Sequence, residues 1–136
     1  MSYEISWERP FGVYKRYSGA VTPADVGDAN LSITSDPHFD DLRYTIADFL
    51  AATGHRFNLH DRAGLETPYA TLIGASHGNP YVHSAFVVTD PDIEQLIQLK
   101  ITLGVLPYPS RVFAREHDAR EWLGIVSGSF RRPSLP

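Results

Sequence analysis

The amino-acid sequence predicts one α/β domain, with a largely parallel sheet of about five strands, about four helices and an N-terminal β-hairpin. Three observations lead to this prediction. Short runs rich in β-branched and aromatic residues alternate with runs of helical periodicity. Two of the strand-like runs, residues 42–53 and 82–88, are apolar enough to be covered on both faces, as central parallel strands are. The chain has 136 residues, of which 43% are hydrophobic, and this suits a single core.

The hairpin is the first predicted element. Tyr3, Ile5 and Trp7 alternate with polar residues, which is the period-two pattern of a half-buried strand. Proline and glycine within residues 9–12 favour a turn. We expect residues 13–18 to return as the second strand.

Two helices begin with the same sequence device. Thr22-Pro23 and Asp90-Pro91 each combine a capping side chain with a proline, which suits the first helical position. The first of these helices should end before Pro37, because a residue ahead of proline avoids helical angles. The second carries apolar residues at helical spacing and should end before a pair of prolines.

The connection after the central strand, residues 42–53, allows two interpretations. A helix begins near His60 or Asp61, or it begins at Pro68 and runs to about residue 77. We favour the second, with a turn ahead of it, because a proline inside a continuous helix would kink it.

The end of the chain completes the predicted domain. Residues 111–113 form a short edge strand, and residues 116–123 form the last helix. We expect the domain to span residues 1–124, and residues 125–136 to form a mobile tail, because they have no periodicity.

Composition excludes several classes of protein. The net charge is −4 and the isoelectric point is about 5.8, so we expect no nucleic-acid partner. The absence of cysteine excludes disulfides, thiolate metal sites and cysteine nucleophiles, and it fits the cytoplasm. We expect no secretion signal, no transmembrane segment and no cofactor.

Several segments together resemble the STAS-like family, the small α/β domains typified by sporulation anti-sigma-factor antagonists. They are the N-terminal hairpin, the SDPHFDDLRYTIADF run into the central strand, the VVTDPDIEQLIQL strand-to-helix junction and the closing AREWLG helix. The similarity covers roughly residues 3–124 and is greatest to the uncharacterised bacterial branch of the family. The resemblance implies a regulatory or binding module that acts through a protein partner or a small ligand.

The resemblance also directs attention to the loop after the central strand. Sporulation antagonists carry Asp-Ser-Ser-Gly there, with a phosphorylatable serine at a helix N-terminus. The nearest match in this chain is Asp61-Arg62-Ala63-Gly64, which lacks both hydroxyl groups. We therefore carry over no phosphorylation site.

Two patterns suggest catalytic or metal chemistry. The run from Gly74 to Gly78 fits the G-x-S-x-G pattern of hydrolases, with Ser76 as nucleophile, but a helix precedes it and a strand follows it, which is the reverse of a nucleophile elbow. His55, His60 and Asp61 lie close in sequence and offer metal or proton-transfer groups, but they lack a recognised ligand spacing. We expect neither a catalytic serine nor a metal site.

Asp48 is a carboxylate near the end of a predicted buried strand, where it must find hydrogen-bond donors. One interpretation is an anchor for backbone N–H groups of the following loop, and the other is an acid in a pocket at the carboxyl edge of the sheet. The candidate residues for binding a ligand or partner are Asp48, Thr53, His55, His60, Asp61, Arg62 and Asp90.

Three functional hypotheses follow from these residues. The first is a non-catalytic STAS-like regulatory or binding module. The second is a carrier or sensor of a small apolar ligand or lipid, suggested by the broad apolar face of the helix after Asp90. The third is an enzyme that uses Asp48 and the loop histidines. Plentiful aromatic residues and an edge strand also suggest a homodimer.

Overall fold

The computed structural model describes residues 2–8 and 11–126, and they form a five-stranded mixed sheet. The strands follow one another across the sheet in chain order. The first two are antiparallel, and the remaining neighbours are parallel. This confirms the predicted fold class and hairpin. The strands are β1 (Tyr3–Glu8), β2 (Gly12–Val21), β3 (Tyr44–His55), β4 (His83–Val87) and β5 (Ser110–Phe113).

Helices connect the parallel strands, as the alternating sequence pattern predicts. Short 3₁₀ turns, Pro37–Asp41 and Thr67–Tyr69, lie before β3 and before the third helix. The α-helices are α1 (Pro23–Thr34), α2 (Arg62–Glu66), α3 (Ala70–Ala75), α4 (Pro91–Leu103) and α5 (Glu116–Val126).

The sheet separates two cores of unequal size. The first face of the sheet packs against α1, α2, α3 and α4, and this main core includes the stacked rings of Tyr17 and Phe49, whose centroids are 4.7 Å apart. The second face packs against α5 through Ala119 and Leu123. On the β2 part of the second face, Tyr14 is buried within this smaller core and Arg16 is exposed.

The helix signals of the sequence are confirmed at both capped starts. Thr22 accepts a hydrogen bond from the backbone N–H of Asp25, whose carboxylate accepts one from the N–H of Thr22, so the two residues form a capping box. Asp90 caps α4 by accepting from two backbone N–H groups. Gly104 ends α4 in the left-handed region, at a φ of 70°, which glycine adopts without a steric penalty.

The bounds of two predicted elements are wrong. The central strand spans Tyr44–His55, so it begins and ends two residues later than the predicted 42–53, because its pairing with β2 continues to Val21 and His55. The favoured helix over residues 68–77 is present only as the shorter α3, Ala70–Ala75, because Pro68 falls in a 3₁₀ turn ahead of it. The turn predicted before it contains a separate short helix, α2, which begins at Arg62 after an Asp61 cap.

The last helix continues through Val126, so the first two residues of the predicted tail belong to α5. The remainder of the predicted tail, residues 127–136, lies outside the described residues. No helix in the described part of the chain is long and apolar enough to cross a membrane.

Candidate functional site

The segment that follows β3 folds back onto the main core. This covering segment, residues 56–69, contains α2 and buries the side chains of Phe57, Leu65 and Tyr69. Its outer side carries three of the predicted binding residues, His60, Asp61 and Arg62, all exposed. The segment thus lies flat on the core and presents polar side chains to solvent.

The polar residues of the covering segment hold its shape. The carboxylate of Asp61 accepts a hydrogen bond from the backbone N–H of Gly64 at 3.0 Å and caps α2. The guanidinium of Arg62 donates to the carbonyl oxygen of Leu103 at 3.0 Å, which ties the segment to the end of α4. Asp61 therefore places a carboxylate at the start of α2.

Thr53, His55 and Asp90 lie at the carboxyl ends of β3 and β4. Thr53 is exposed, and Asp90 is engaged in capping α4. The Nδ1 atom of His55 accepts a hydrogen bond from the backbone N–H of Phe57 at 3.0 Å. Burial, followed by the charge of Lys100, lowers the pKa of His55. His55 and Asp90 thus support the local backbone.

An open groove runs beside the covering segment. This α1 groove has a volume of about 450 Å³ and a largely apolar lining. Gly64 lies in it, next to the capping Asp61, so the groove adjoins the exposed polar residues of the segment. Its lining residues are Pro23, Ala24, Gly27, Asp28, Gly64, Thr67 and Pro68.

Asp48 lies on the other face of the sheet, away from these groups. Its carboxylate accepts a hydrogen bond from the hydroxyl of Tyr14 and one from the backbone N–H of Leu50 at 2.8 Å. The Nε atom of Arg16, on the neighbouring strand, is 3.9 Å from the same carboxylate. Asp48 is 4% exposed, so these donors satisfy a buried carboxylate.

The hydrogen bonds continue from Asp48 onto α5 and β1. The hydroxyl of Tyr14 is also 3.2 Å from Glu116, which accepts from Arg120 at 2.7 Å. Arg120 donates two further hydrogen bonds, of 3.0 and 2.6 Å, to Glu8. These residues are called the Asp48 network below. It connects α5 to β1 and β2.

Charge and burial shift several pKa values in the Asp48 network. Burial, together with the bond to Asp48, raises the pKa of Tyr14 to about 12. The hydrogen bonds from Arg120 lower the pKa of Glu8 and raise that of Arg120 itself. The tyrosine therefore stays protonated and Glu8 stays ionised at neutral pH. An open recess of about 120 Å³ on the outer side of the network is lined by Glu4, Ser6, Tyr14 and Arg16.

The patterns that suggested an enzyme do not converge on one site. Ser76 follows α3 and donates a hydrogen bond to the carbonyl of Ile73 at 2.6 Å, and the neighbouring His77 is exposed. Asp48 and His55 contact different cores. Among residues 2–8 and 11–126, no group of three His, Cys, Asp or Glu side chains is arranged to hold a metal ion.

Sequence reasoning missed a pair of buried lysines in the main core. Lys15 on β2 is paired in register with Ala47, and Lys100 projects inward from α4. The amine of Lys100 donates to the hydroxyl of Tyr69 at 2.9 Å. Burial lowers the pKa of Lys15 to about 8 and, with the added charge of Lys15, the pKa of Lys100 to about 7. The sequence did indicate that Lys100 is buried, because it occupies a position on the apolar face of the helix after Asp90.

Comparison with known proteins gives the same fold. No protein-family model and no curated protein matches the chain. Solved structures do match. The anti-sigma factor antagonist SpoIIAA in its unphosphorylated form aligns with a TM-score of 0.55 and 10% identity, over 89% of this chain and 96% of that one. SpoIIAA, the Bacillus cell fate determinant, in its phosphorylated form aligns with a TM-score of 0.55 and 13% identity, over 89% and 98%.

An uncharacterised protein of the DUF3478 family from Shewanella loihica PV-4, which has a SpoIIAA-like fold, also matches. Its TM-score is 0.52 and its identity 16%, over 89% of this chain and 91% of that one. Identities this low establish a shared architecture. The chain therefore has the SpoIIAA-like α/β fold, which confirms for the fold its resemblance to STAS-like domains.

Proposed function

We propose that the protein is a non-catalytic STAS-like regulatory module that binds a protein partner through the covering segment and the adjoining α1 groove. The observation that carries this proposal is the likeness to SpoIIAA, an anti-sigma factor antagonist, over 89% of the chain. A fold of this kind offers exposed loops and helices on a rigid sheet, and such loops commonly carry binding residues.

The arrangement of the covering segment supports the choice of surface. His60, Asp61 and Arg62 are exposed, while Leu65 beneath them is fully buried, so polar side chains are presented on a fixed backbone. A preorganised surface loses little conformational entropy on binding. The α1 groove adds apolar area beside these charges, and interfaces commonly combine a central apolar contact with a polar rim.

We further propose that this surface works without a phosphorylation switch at the start of α2. Asp61 already places a carboxylate at this helix start, and neither Arg62 nor Ala63 has a hydroxyl group. The two positions that match the serines of the antagonists therefore offer no hydroxyl group for phosphorylation.

Site-directed cross-linking tests the proposed surface. A photo-crosslinking amino acid at the position of His60 should capture a discrete protein in the native host. The same group at Glu121, on α5 across the sheet, is the matched control and should not capture it. Adding Ala24→Trp, which fills the α1 groove from an exposed position, should abolish capture from position 60. Equal capture from both positions would count against the surface.

A test of activity addresses the non-catalytic half of the proposal. The purified protein should turn over no substrate in a panel of generic esters and phosphate esters. Turnover that disappears in Asp48→Asn or Ser76→Ala would instead establish an enzyme.

The carrier hypothesis has one remaining candidate surface. The apolar residues Ile93, Leu96 and Ile97 of α4 are buried against the sheet, so the helix that suggested a carrier has its apolar face covered. A small apolar ligand would instead use the α1 groove, which is large enough for one. Native mass spectrometry after gentle purification checks this alternative, and a co-purifying ligand lost in Ala24→Trp would support it.

A further inference from the structure

The two buried lysines form a cluster that the proposed partner surface does not use. Lys100 is 3% exposed and Lys15 is 7% exposed, and the charge of Lys15 acts on Lys100. Burying an ammonium group is costly unless a carboxylate pairs with it. Within residues 2–8 and 11–126, neither lysine forms an ion pair.

The covering segment is what separates the amine of Lys100 from water. The amine lies 3.8 Å from the ring centroid of Phe57 and 4.8 Å from that of Tyr69, and it donates to the Tyr69 hydroxyl. Both rings belong to residues 56–69, one on each side of α2. Displacement of this segment would hydrate Lys100 without any movement of β2 or α4.

The other titratable groups around the amine do not supply a compensating charge. Burial raises the pKa values of Tyr17 and Tyr69, so both phenols remain neutral. After burial, the charge of Lys15 further lowers the pKa of Lys100, and Lys100 in turn lowers the pKa of His55. The carboxylates of Asp90 and Asp92 act on His55 from the start of α4, and Asp90 is already engaged as the helix cap. The guanidinium of Arg62 is a further cation, and it donates a hydrogen bond to the carbonyl oxygen of Leu103.

We propose that pH controls whether the covering segment is closed over α4 or released from it. Protonation of the buried amine of Lys100 favours the released form. The cation–π contacts and the single hydroxyl acceptor stabilise the cation less than water does, so the closed form holds a proton weakly. The open form returns Lys100 to solvent, where it holds a proton strongly.

The sign and range of the effect follow from linkage. In the closed form the pKa of Lys100 is about 7, against an ordinary value of 10.5. At pH values between about 7 and 10.5, opening of the segment is therefore accompanied by uptake of a proton by Lys100. The opening constant rises by up to roughly tenfold for each unit that the pH falls within this range, and it levels off below about pH 7. The closed form is thus favoured at alkaline pH.

Release is a local and transient event, because other contacts still hold the segment. Leu65 is fully buried. The side-chain amide of Asn30 donates a hydrogen bond to the carbonyl oxygen of Pro68 at 2.9 Å, and the guanidinium of Arg62 donates one to the carbonyl oxygen of Leu103. Openings of this kind appear in native-state hydrogen exchange. A consequence that rests on the proposed function is that partner affinity should change with pH together with the opening of the segment.

Hydrogen exchange of the purified protein tests the proposal without any partner, so its outcome is independent of the proposed function. Exchange is measured by mass spectrometry from about pH 7 to about pH 9. Protection is the exchange rate of an unstructured peptide of the same sequence divided by the rate observed in the protein. Protection of residues 57–69 should rise by about tenfold per pH unit. Protection of residues 45–49 in β3 should not follow this trend.

Three variants identify the groups responsible. Lys100→Met keeps the length of the side chain but has no proton to gain, so the pH dependence should largely disappear. Lys15→Met should make it shallower and keeps the test available if the first variant misfolds. Arg62→Gln is the matched control, because it loosens the segment without changing a buried charge. It should lower protection by the same factor at every pH.

Three results would overturn the proposal. They are flat protection of residues 57–69 in the native sequence, an unchanged pH dependence in Lys100→Met, or the same pH dependence in β3, which would indicate opening of the whole domain.

Discussion

The hydroxyl of Tyr14 donates a hydrogen bond to the carboxylate of Asp48 across the parallel pair formed by β2 and β3. Both side chains are buried on the face of the sheet that α5 covers. Asp48 also accepts from the backbone N–H of Leu50, so its acceptor positions are used within the fold. This geometry favours a structural anchor over an acid in a ligand pocket.

Tyr14→Phe should destabilise the protein by about 1–3 kcal/mol, because it leaves a buried carboxylate without one of its donors. Urea denaturation measures the change. Tyr3→Phe is the matched control, since the Tyr3 hydroxyl makes no hydrogen bond within the described residues, and it should cost less than about 0.5 kcal/mol. Similar losses in the two variants would remove the energetic argument for the anchor.

Gly12→Ala should also be destabilising, by about 1–3 kcal/mol. A Cβ atom at Gly12 would overlap the ring of Tyr44, which crosses this position to hydrogen-bond Glu8. Gly74→Ala in α3 is the control, because a Cβ there meets no atom within 4 Å. That variant should be neutral or more stable by up to about 1 kcal/mol, owing to the helix propensity of alanine. Thermal unfolding of both variants measures these effects, and an unaffected Gly12→Ala would contradict the described packing.

The ion pair between Glu8 and Arg120 should make stability fall at acidic pH. Arg120 lowers the pKa of Glu8 from its ordinary 4.5, so this contribution is present above about pH 4.5 and is lost as the pH falls through the lower folded-state value. Arg120→Gln should cost about 1 kcal/mol near neutral pH, because the pair is partly exposed. The difference from the native protein should shrink as the pH falls through the lowered folded-state pKa of Glu8, because the carboxyl group is then protonated in both states.

Urea denaturation across this pH range supplies the data. Arg115→Gln is the control, because the side chain of Arg115 is 72% exposed and, among residues 2–8 and 11–126, its ion pair is with Asp118, three positions later. It should leave stability nearly unchanged at every pH, because exposed ion pairs contribute little. A deficit in Arg120→Gln that persists at acidic pH would show that packing, and not the ion pair, is responsible.

Local sequence signals predicted the parts of the fold that depend on neighbouring residues. The caps at Thr22 and Asp90 act on backbone groups two or three residues away, so the sequence is sufficient to locate them. The covering segment was harder to predict, because its helix begins at an Asp61 cap and is interrupted by Pro68. The two signals compete, and packing of Leu65 into the core favours the earlier start.

The Asp48 network and the lysine pair depend on contacts between distant residues. Glu8 and Arg120 are 112 positions apart, and no spacing pattern joins them. Glu116 and Arg120 are separated by one helical turn, so that half of the network was accessible from the sequence. Lys100 could be placed on the inner face of α4, but its neighbour Lys15 comes from a strand 85 positions earlier, which requires the assembled sheet.

The central claim, that the covering segment and the α1 groove bind a protein partner, is tested most directly by affinity. The protein captured by cross-linking at position 60 would be titrated against three purified variants by isothermal calorimetry. The account predicts that Arg62→Glu and Ala24→Trp each weaken binding by at least about tenfold, the loss expected when an interface contact worth about 1.4 kcal/mol is removed. Glu121→Lys, on the far side of the sheet, should bind as the native protein does. Undiminished binding by both surface variants, or loss in Glu121→Lys alone, would contradict the account.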